Sequence, residues 1–338
     1  MKNALFSLAF SAIITSMTFA IPTPADAAEK IVIAHRGASG YLPEHTLAAK
    51  ALAHGMNVDY IEQDVVLTRD GVPVVLHDHH LDTVTDVAEK FPARARTDGR
   101  FYAIDFTLAE IKTLNAHERI DLKTGKTVFA TRFPSGLGQF SVPTLEEEIE
   151  LIKGLNISRR KNIGIYPEIK APAFHRAEGQ DISRIVLDVL KKHGYASKQD
   201  AVFVQCFDWN ETKRIRQELG YEGRLIQLIA DNSWDESPNV DFDVLRTGKG
   251  LAEIAKVADG IGPWIPHVVN EDGTPTDLVK DAHAAGLALH PYTLRADSLP
   301  TWAKSLDDVM EGVLFTAGAD GIFSDFPDRS VDFLSARK

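Results

Sequence analysis

Four short stretches carry residue types whose spacing could do acid–base and metal chemistry. In "YIEQDVVLT", beginning at Tyr60, the carboxylates Glu62 and Asp64 are one residue apart. Successive side chains on a strand point to opposite faces, so these two acids share a face. "YPEIK" repeats the device with Glu168 and Lys170. His35-Arg36-Gly37 follows the apolar run Ile31 to Ala34, and His77-Asp78 follows Val72 to Leu76. Three carboxylates at the ends of buried strands need a positive partner, and a divalent cation is the natural one. An all-oxygen ligand set selects a hard cation over zinc, so Ca²⁺ is the first expectation and Mg²⁺ the second.

The charges suggest a substrate. Glu62, Asp64 and Glu168, one divalent cation, the cations Arg36 and Lys170, and a singly charged phosphodiester together sum to zero. Arginine's planar fork matches phosphate oxygens, and lysine adds a point charge. His35 and His77 are then a candidate acid/base pair, because an imidazole of ordinary pKa near 6.5 exchanges protons near neutrality. Diester cleavage needs both roles. The run His77-Asp78-His79-His80 admits a competing reading as a transition-metal site. His45, His54, His79 and His80 are read as structural or surface residues.

These residues need a frame that gathers strand ends. From Ile31 onward β-rich runs alternate with amphipathic helical patterns, the rhythm of parallel βα units. Eight strands are expected, around Ile31–Ala34, Tyr60–Leu67, Ile163–Glu168, Val202–Cys206, Leu225–Ile229, Gly260–Gly262, Ala288–Tyr292 and Gly321–Ser324. Eight closes a TIM (β/α)8 barrel, which keeps its chemistry at the C-terminal ends of the strands. Pro43 to Leu52 reads as the start of a helix. Thr144-Leu145-Glu146-Glu147 is a capping box, and Ile182, Ile185, Val189 and Leu190 form an apolar stripe. Gly194, Gly220 and Gly286 read as helix stops. The Asp70-Gly71 turn makes Val72 to Leu76 a hairpin return that brings His77 back to the mouth. Residues 80–141 lack a βα period and read as an insertion over one end of the barrel.

Lys2, the largely apolar stretch from Ala4 to Ile21, and Ala25-Asp26-Ala27 read as a cleavable leader. Residues 1–27 are expected to be a signal peptide, 28–338 a single barrel domain, and the mature chain periplasmic or secreted. The formal charge of −11 repels nucleic acid and anionic lipid, so no nucleic-acid partner is expected, and no stable membrane insertion is expected once the leader has been cleaved. Cys206 is the only cysteine, which excludes an internal disulfide. Oligomeric state stays open, a homodimer included.

The blocks "AHRGASGYLPEHT", "IEQDVVLTRDGVPVVLHD", "VPTLEE", "YPEIK", "VQCF", "HPYTL" and "DGIFSDFP" occur in this order. Together they resemble the glycerophosphodiester phosphodiesterase family, and most of all its periplasmic, calcium-dependent members. The resemblance implies hydrolysis of small-molecule glycerophosphodiesters to glycerol 3-phosphate and an alcohol. It also implies that His35 and His77 act as acid and base, that Glu62, Asp64 and Glu168 hold the metal, and that Arg36 and Lys170 contact phosphate. Gln205, Phe207 and Tyr292 match positions near the family's mouth. His45 stands where the family often has asparagine, which puts the geometry of that turn in question. Two other functions compete: a phosphodiesterase acting on intact lipids, and a non-catalytic binder on the same barrel.

Overall fold

The protein is represented by a computed structural model that describes residues 30–337, apart from 235, 238 and 239. The expected leader, residues 1–27, lies outside the described residues. Among those residues eight parallel strands and one antiparallel strand form a single sheet. They are β1 (Ile31–Ala34), β2 (Tyr60–Leu67), β3 (Pro73–Val75), β4 (Gly164–Ile169), β5 (Phe203–Cys206), β6 (Arg224–Ile229), β7 (Gly260–Pro263), β8 (Ala288–Leu289) and β9 (Gly321–Ser324). The parallel path runs β8, β7, β6, β5, β4, β2, β1, β9. Backbone hydrogen bonds from Asp320 to Leu289 (2.9 Å), Phe323 to Pro291 (3.0 Å) and Leu294 to Phe323 (2.8 Å) join β9 to the β8 side. With helices between its strands, this is a TIM barrel.

β3 pairs antiparallel with β2, as the hairpin reading expects. β8 is shorter than expected and stops before His290-Pro291. Proline has no N–H to continue a ladder, although its carbonyl still accepts from Phe323. The first helix also starts later than expected, at Leu47 rather than Pro43. His45 has a left-handed φ of 62°, which no helix accommodates, and the Thr46 side chain caps the helix instead. The capping box at Thr144 forms, and it opens the helix Leu145–Arg159.

Two apolar clusters lie between the barrel and its helices. Inside the barrel Ile33, Tyr166, Phe203, Ile226 and Phe323 fill the space beneath the mouth. The segment 80–141 has a core of its own, in which Leu81, Phe101, Phe106 and Ile111 pack on Val66 of β2 and Val74 of β3. It is thereby fixed to the hairpin that delivers His77. No helix among the described residues is long and apolar enough to cross a membrane.

At the N-terminal end of the barrel one device occurs three times. Asp59, Asp259 and Asp320 immediately precede β2, β7 and β9. Each accepts a backbone N–H from the adjacent strand: Val32 at 2.8 Å, Leu225 at 2.9 Å and Leu289 at 2.8 Å. The backbone N–H of each aspartate returns a bond to the carbonyl of that same residue. These pairs close the lower rim.

Candidate active site

At the upper rim the strand ends converge on one cleft. β1 ends in His35, and the chain then turns through Arg36 (φ 57°) and Gly37 (φ 86°). A Cβ at Gly37 would stand 2.9 Å from the Ala49 backbone, so this turn requires glycine. The turn directs the Arg36 N–H to Glu62 Oε2 at 2.9 Å. On β2 and β4 the register sets Asp64 beside Glu168. Ligand oxygens of Glu62, Asp64 and Glu168 lie within 4.8 Å of one another, and all three residues are buried.

Their partners leave room at the centre. Glu62 accepts from the Arg36 backbone on one oxygen and from Gln205 Nε2 on the other, at 3.0 Å. Gln205 therefore orients a carboxylate as well as lining the cleft. Glu168 is 2.8 Å from Lys170 Nζ. Asp64 Oδ2 meets His45 Nε2 at 2.7 Å, while its Oδ1 is buried without a hydrogen-bond partner. Burial, and after it the negative charge of Asp64, pushes the Glu62 carboxyl up to about 8. Burial also raises Glu168, against the pull of Lys170. For Asp64 burial acts in the same direction, but His45, His77 and Lys170 overcome it and hold the group well below the usual carboxylate range. Three buried carboxyls that resist ionising together, with an open oxygen on Asp64, are what a hard cation would complete, since its charge would favour the ionised form of each.

Both histidines border the same cleft, with carboxylates behind them. His35 Nδ1 is 2.5 Å from Asp325 Oδ1, and His35 Nε2 is 3.8 Å from Glu62. His77 Nδ1 is 2.7 Å from Asp78 Oδ1. Burial, with Arg36 next, pushes the His35 imidazole down to about 4. His77 is lowered by burial and then by Arg36 and Lys170. Each ring presents its Nε2 edge for proton exchange once Nδ1 is committed to a carboxylate.

The cleft encloses about 290 Å³ and is lined by all ten residues that the sequence singles out, from His35 to Tyr292. Phe207 and Tyr292 form one wall, their rings 6.0 Å apart and edge to face. Lys170 Nζ stands 5.5 Å from the Phe207 ring centre. Trp234 and Trp264 extend the wall toward solvent, with centroids 5.0 Å apart. Neither tryptophan stands out in the sequence.

Other histidines find different places. His45 is buried, and its positive φ is one that histidine tolerates better than most residues, as asparagine does. The turn is kept and the ring is put to use: Lys50 Nζ lies 3.2 Å from Nδ1, so the ring proton sits on Nε2 and donates to Asp64. Reading His45 as merely structural or superficial misses this contact with the acid cluster. His79 stacks on Tyr102, and His80 lies tilted against both rings. Among the described residues the group able to hold a metal is Glu62, Asp64 and Glu168, which does not support the transition-metal reading of the His77 run.

Sequence reasoning misses the outer ring of charges. Glu44 accepts from Arg36 (3.0 Å) and from Arg119 (2.6 Å). Asp325 is held by Arg132 (2.6 Å) and Arg295 (3.0 Å). Asp325 follows β9 directly, so the argument that singles out acids at strand ends could have found it. Arg119 and Arg132 lie in a segment with no periodic pattern, and nothing in the sequence marks them.

The model of the "Glycerophosphoryl diester phosphodiesterase family" matches residues 35–329. A glycerophosphodiester phosphodiesterase of Haemophilus influenzae is 47% identical over 331 residues, covering 92% of this chain and 91% of the relative. One from Treponema pallidum is 41% identical over 329 residues, covering 91% and 92%. A crystal structure from Silicibacter pomeroyi, described as a candidate glycerophosphoryl diester phosphodiesterase, superposes with a TM-score of 0.70 at 25% identity. It covers 92% of this chain and 94% of that one.

Proposed function

Since the chain belongs to the glycerophosphoryl diester phosphodiesterase family, we propose that it cleaves glycerophosphodiesters by metal-assisted acid–base catalysis. Its products are glycerol 3-phosphate and an alcohol. The observation that carries this reading is the meeting of three acids, two imidazoles and two cations on one rim. Glu62, Asp64 and Glu168 would hold the cation, and the unpartnered Asp64 Oδ1 is the donor best placed to take it up. The all-oxygen set favours Ca²⁺, with Mg²⁺ as the alternative. When bound, such an ion supplies positive charge to the phosphoryl oxygens.

The chain's own groups do the rest. Arg36 and Lys170 bind the phosphate and balance its charge. Of His35 and His77, one removes the proton of the attacking oxygen while the other delivers a proton to the departing alcohol. Phe207 and Tyr292 give the glycerol carbons an apolar wall. Because these contacts grip glycerol, phosphate and metal, the alcohol is left facing the open mouth, and head groups of different chemistry should be accepted.

The test is release of glycerol 3-phosphate from glycerophosphocholine. His35→Ala and His77→Ala should each lower turnover on the order of 10² to 10⁴-fold, with the fold and calcium binding retained. Full turnover in either variant would remove that histidine from the mechanism. Glycerophosphoethanolamine and glycerophosphoglycerol should turn over at comparable rates, and differences of orders of magnitude would contradict an unrecognised alcohol. We further propose export, with cleavage after Ala27, on the strength of the N-terminal pattern. N-terminal sequencing of the mature protein reads the cleavage site directly.

A further inference from the structure

The segment 80–141 does more than cover the barrel. Each histidine of the cleft is backed by a carboxylate, and each carboxylate uses only one oxygen for the ring. The second oxygen of Asp78 accepts from Arg119 Nη1 at 2.6 Å and from Thr83 Oγ1 at 2.9 Å. The second oxygen of Asp325 accepts from Arg132 Nη2 at 2.6 Å and from Arg295 at 3.0 Å. Arg119 and Arg132 both belong to this segment, yet Asp325 lies at the far end of the chain. We propose that Arg119 and Arg132 are positioning residues, through which the insertion completes the active site by locking the two carboxylates that orient His77 and His35.

This inference rests on the reading of those histidines as the acid/base pair. Its physical content is orientation. A carboxylate bound to an imidazole through one oxygen is free to rotate about its Cβ–Cγ bond and to give the ring a choice of tautomer. A guanidinium on the other oxygen restrains both freedoms, because arginine stays charged and its remaining N–H groups are anchored on a second carboxylate, Glu44 for Arg119 and Asp297 for Arg132. With the carboxylate fixed and ionised, the proton stays on Nδ1 and Nε2 faces the cleft.

The two arginines are themselves held. Arg119 sits where the Ile120 N–H bonds Thr83 (2.9 Å) and the Val128 N–H bonds the Arg119 carbonyl (2.9 Å). The Arg132 guanidinium lies 3.6 Å above the Phe129 ring and makes a two-pronged contact with Asp297 at 2.8 and 3.1 Å. The apolar core of the segment, from Leu81 to Leu114 with Val142, packs on β2 and β3 on either side in sequence of the stretch that carries both arginines. They differ in one respect: Arg119 also grips Glu44, which in turn holds Arg36. Loss of Arg119 should therefore disturb substrate binding as well as proton transfer, whereas loss of Arg132 should disturb proton transfer alone.

Steady-state kinetics on the full chain with glycerophosphocholine and calcium distinguish these effects. Arg132→Met should lower kcat about 10- to 100-fold with KM unchanged. Arg119→Met should lower kcat comparably and raise KM. Arg119→Lys and Arg132→Lys should each recover part of the loss, and added guanidinium ion at millimolar concentration should partly restore both Met variants without stimulating wild type. Arg96→Met serves as the control: Arg96 is in the same segment but pairs with Asp105 and Glu178, and its turnover should match wild type. A folded Arg132→Met with wild-type kcat would overturn the inference and leave the proposed function standing. A loss that tracks the thermal midpoint, and that neither lysine nor guanidinium restores, would also overturn it. A wild-type protein without turnover would take both readings down.

Discussion

The two ends of this barrel use the same side chains to opposite effect. At the lower rim Asp59, Asp259 and Asp320 each meet a backbone N–H of the neighbouring strand, and Asp259 also meets Arg216 at 2.9 Å. Each of these carboxylates has a donor beside it, and the result is that neighbouring strands are tied together. At the upper rim Glu62, Asp64 and Glu168 face one another, and burial raises the first and last of them. A carboxylate that completes a hydrogen-bond pair stabilises the fold, whereas a carboxylate crowded against its own kind stores a preference for a cation. Position along the strand decides which role an acid takes.

The comparison can be broken at either end. The largest effect is expected from Glu168→Gln, which should remove metal binding and with it about 4 kcal/mol of transition-state stabilisation, on the order of 10³ in turnover. The thermal midpoint of the metal-free variant should stay close to that of metal-free wild type, since burial already holds the Glu168 carboxyl toward its neutral form and glutamine keeps an oxygen acceptor for Lys170. A clear drop in that midpoint would mean that the upper rim is built for stability after all. Next, His45→Ala should weaken calcium binding about 10- to 100-fold, as read by calorimetry, because Asp64 loses the donor that orients it. His45→Asn keeps a donor and a residue that tolerates positive φ, so it should lose less. Smallest in its effect on the site, Asp259→Ala at the lower rim should leave kcat unchanged while costing about 1–3 kcal/mol in chemical denaturation by leaving the Leu225 N–H unpaired. A large loss of turnover there would show that the two ends are not independent.

How much of this is legible in the sequence follows the same division between near and far. The eight strands can be read because apolar runs and glycine stops are local signals, and misreadings sit at the ends of elements. Pro43 suggests a helix start, but the left-handed His45 delays it to Leu47. The tyrosine of "HPYTL" suggests a longer strand, but the ladder stops short of Pro291. Within the site, Glu62 and Asp64 are legible because one strand presents both. Asp78 is visible as the neighbour of His77, but its pairing with Arg119 is not. Asp325 reaches His35 across nearly the whole chain, and only closure of the barrel between β9 and β1 brings them together. Arg132 is harder still, since its segment has no period from which a direction could be read. A sequence announces what strands present and conceals what loops deliver.

In the proposed function Glu62, Asp64 and Glu168 hold one hard cation on which diester cleavage depends. The most direct measurement is calcium titrated into chelator-treated protein, followed in parallel by calorimetry and by glycerol 3-phosphate release from glycerophosphocholine. One calcium per chain should bind, with turnover returning in step with its occupancy, and Asp64→Asn should lose both together. Full turnover in excess chelator, or unchanged calcium binding in Asp64→Asn, would contradict it.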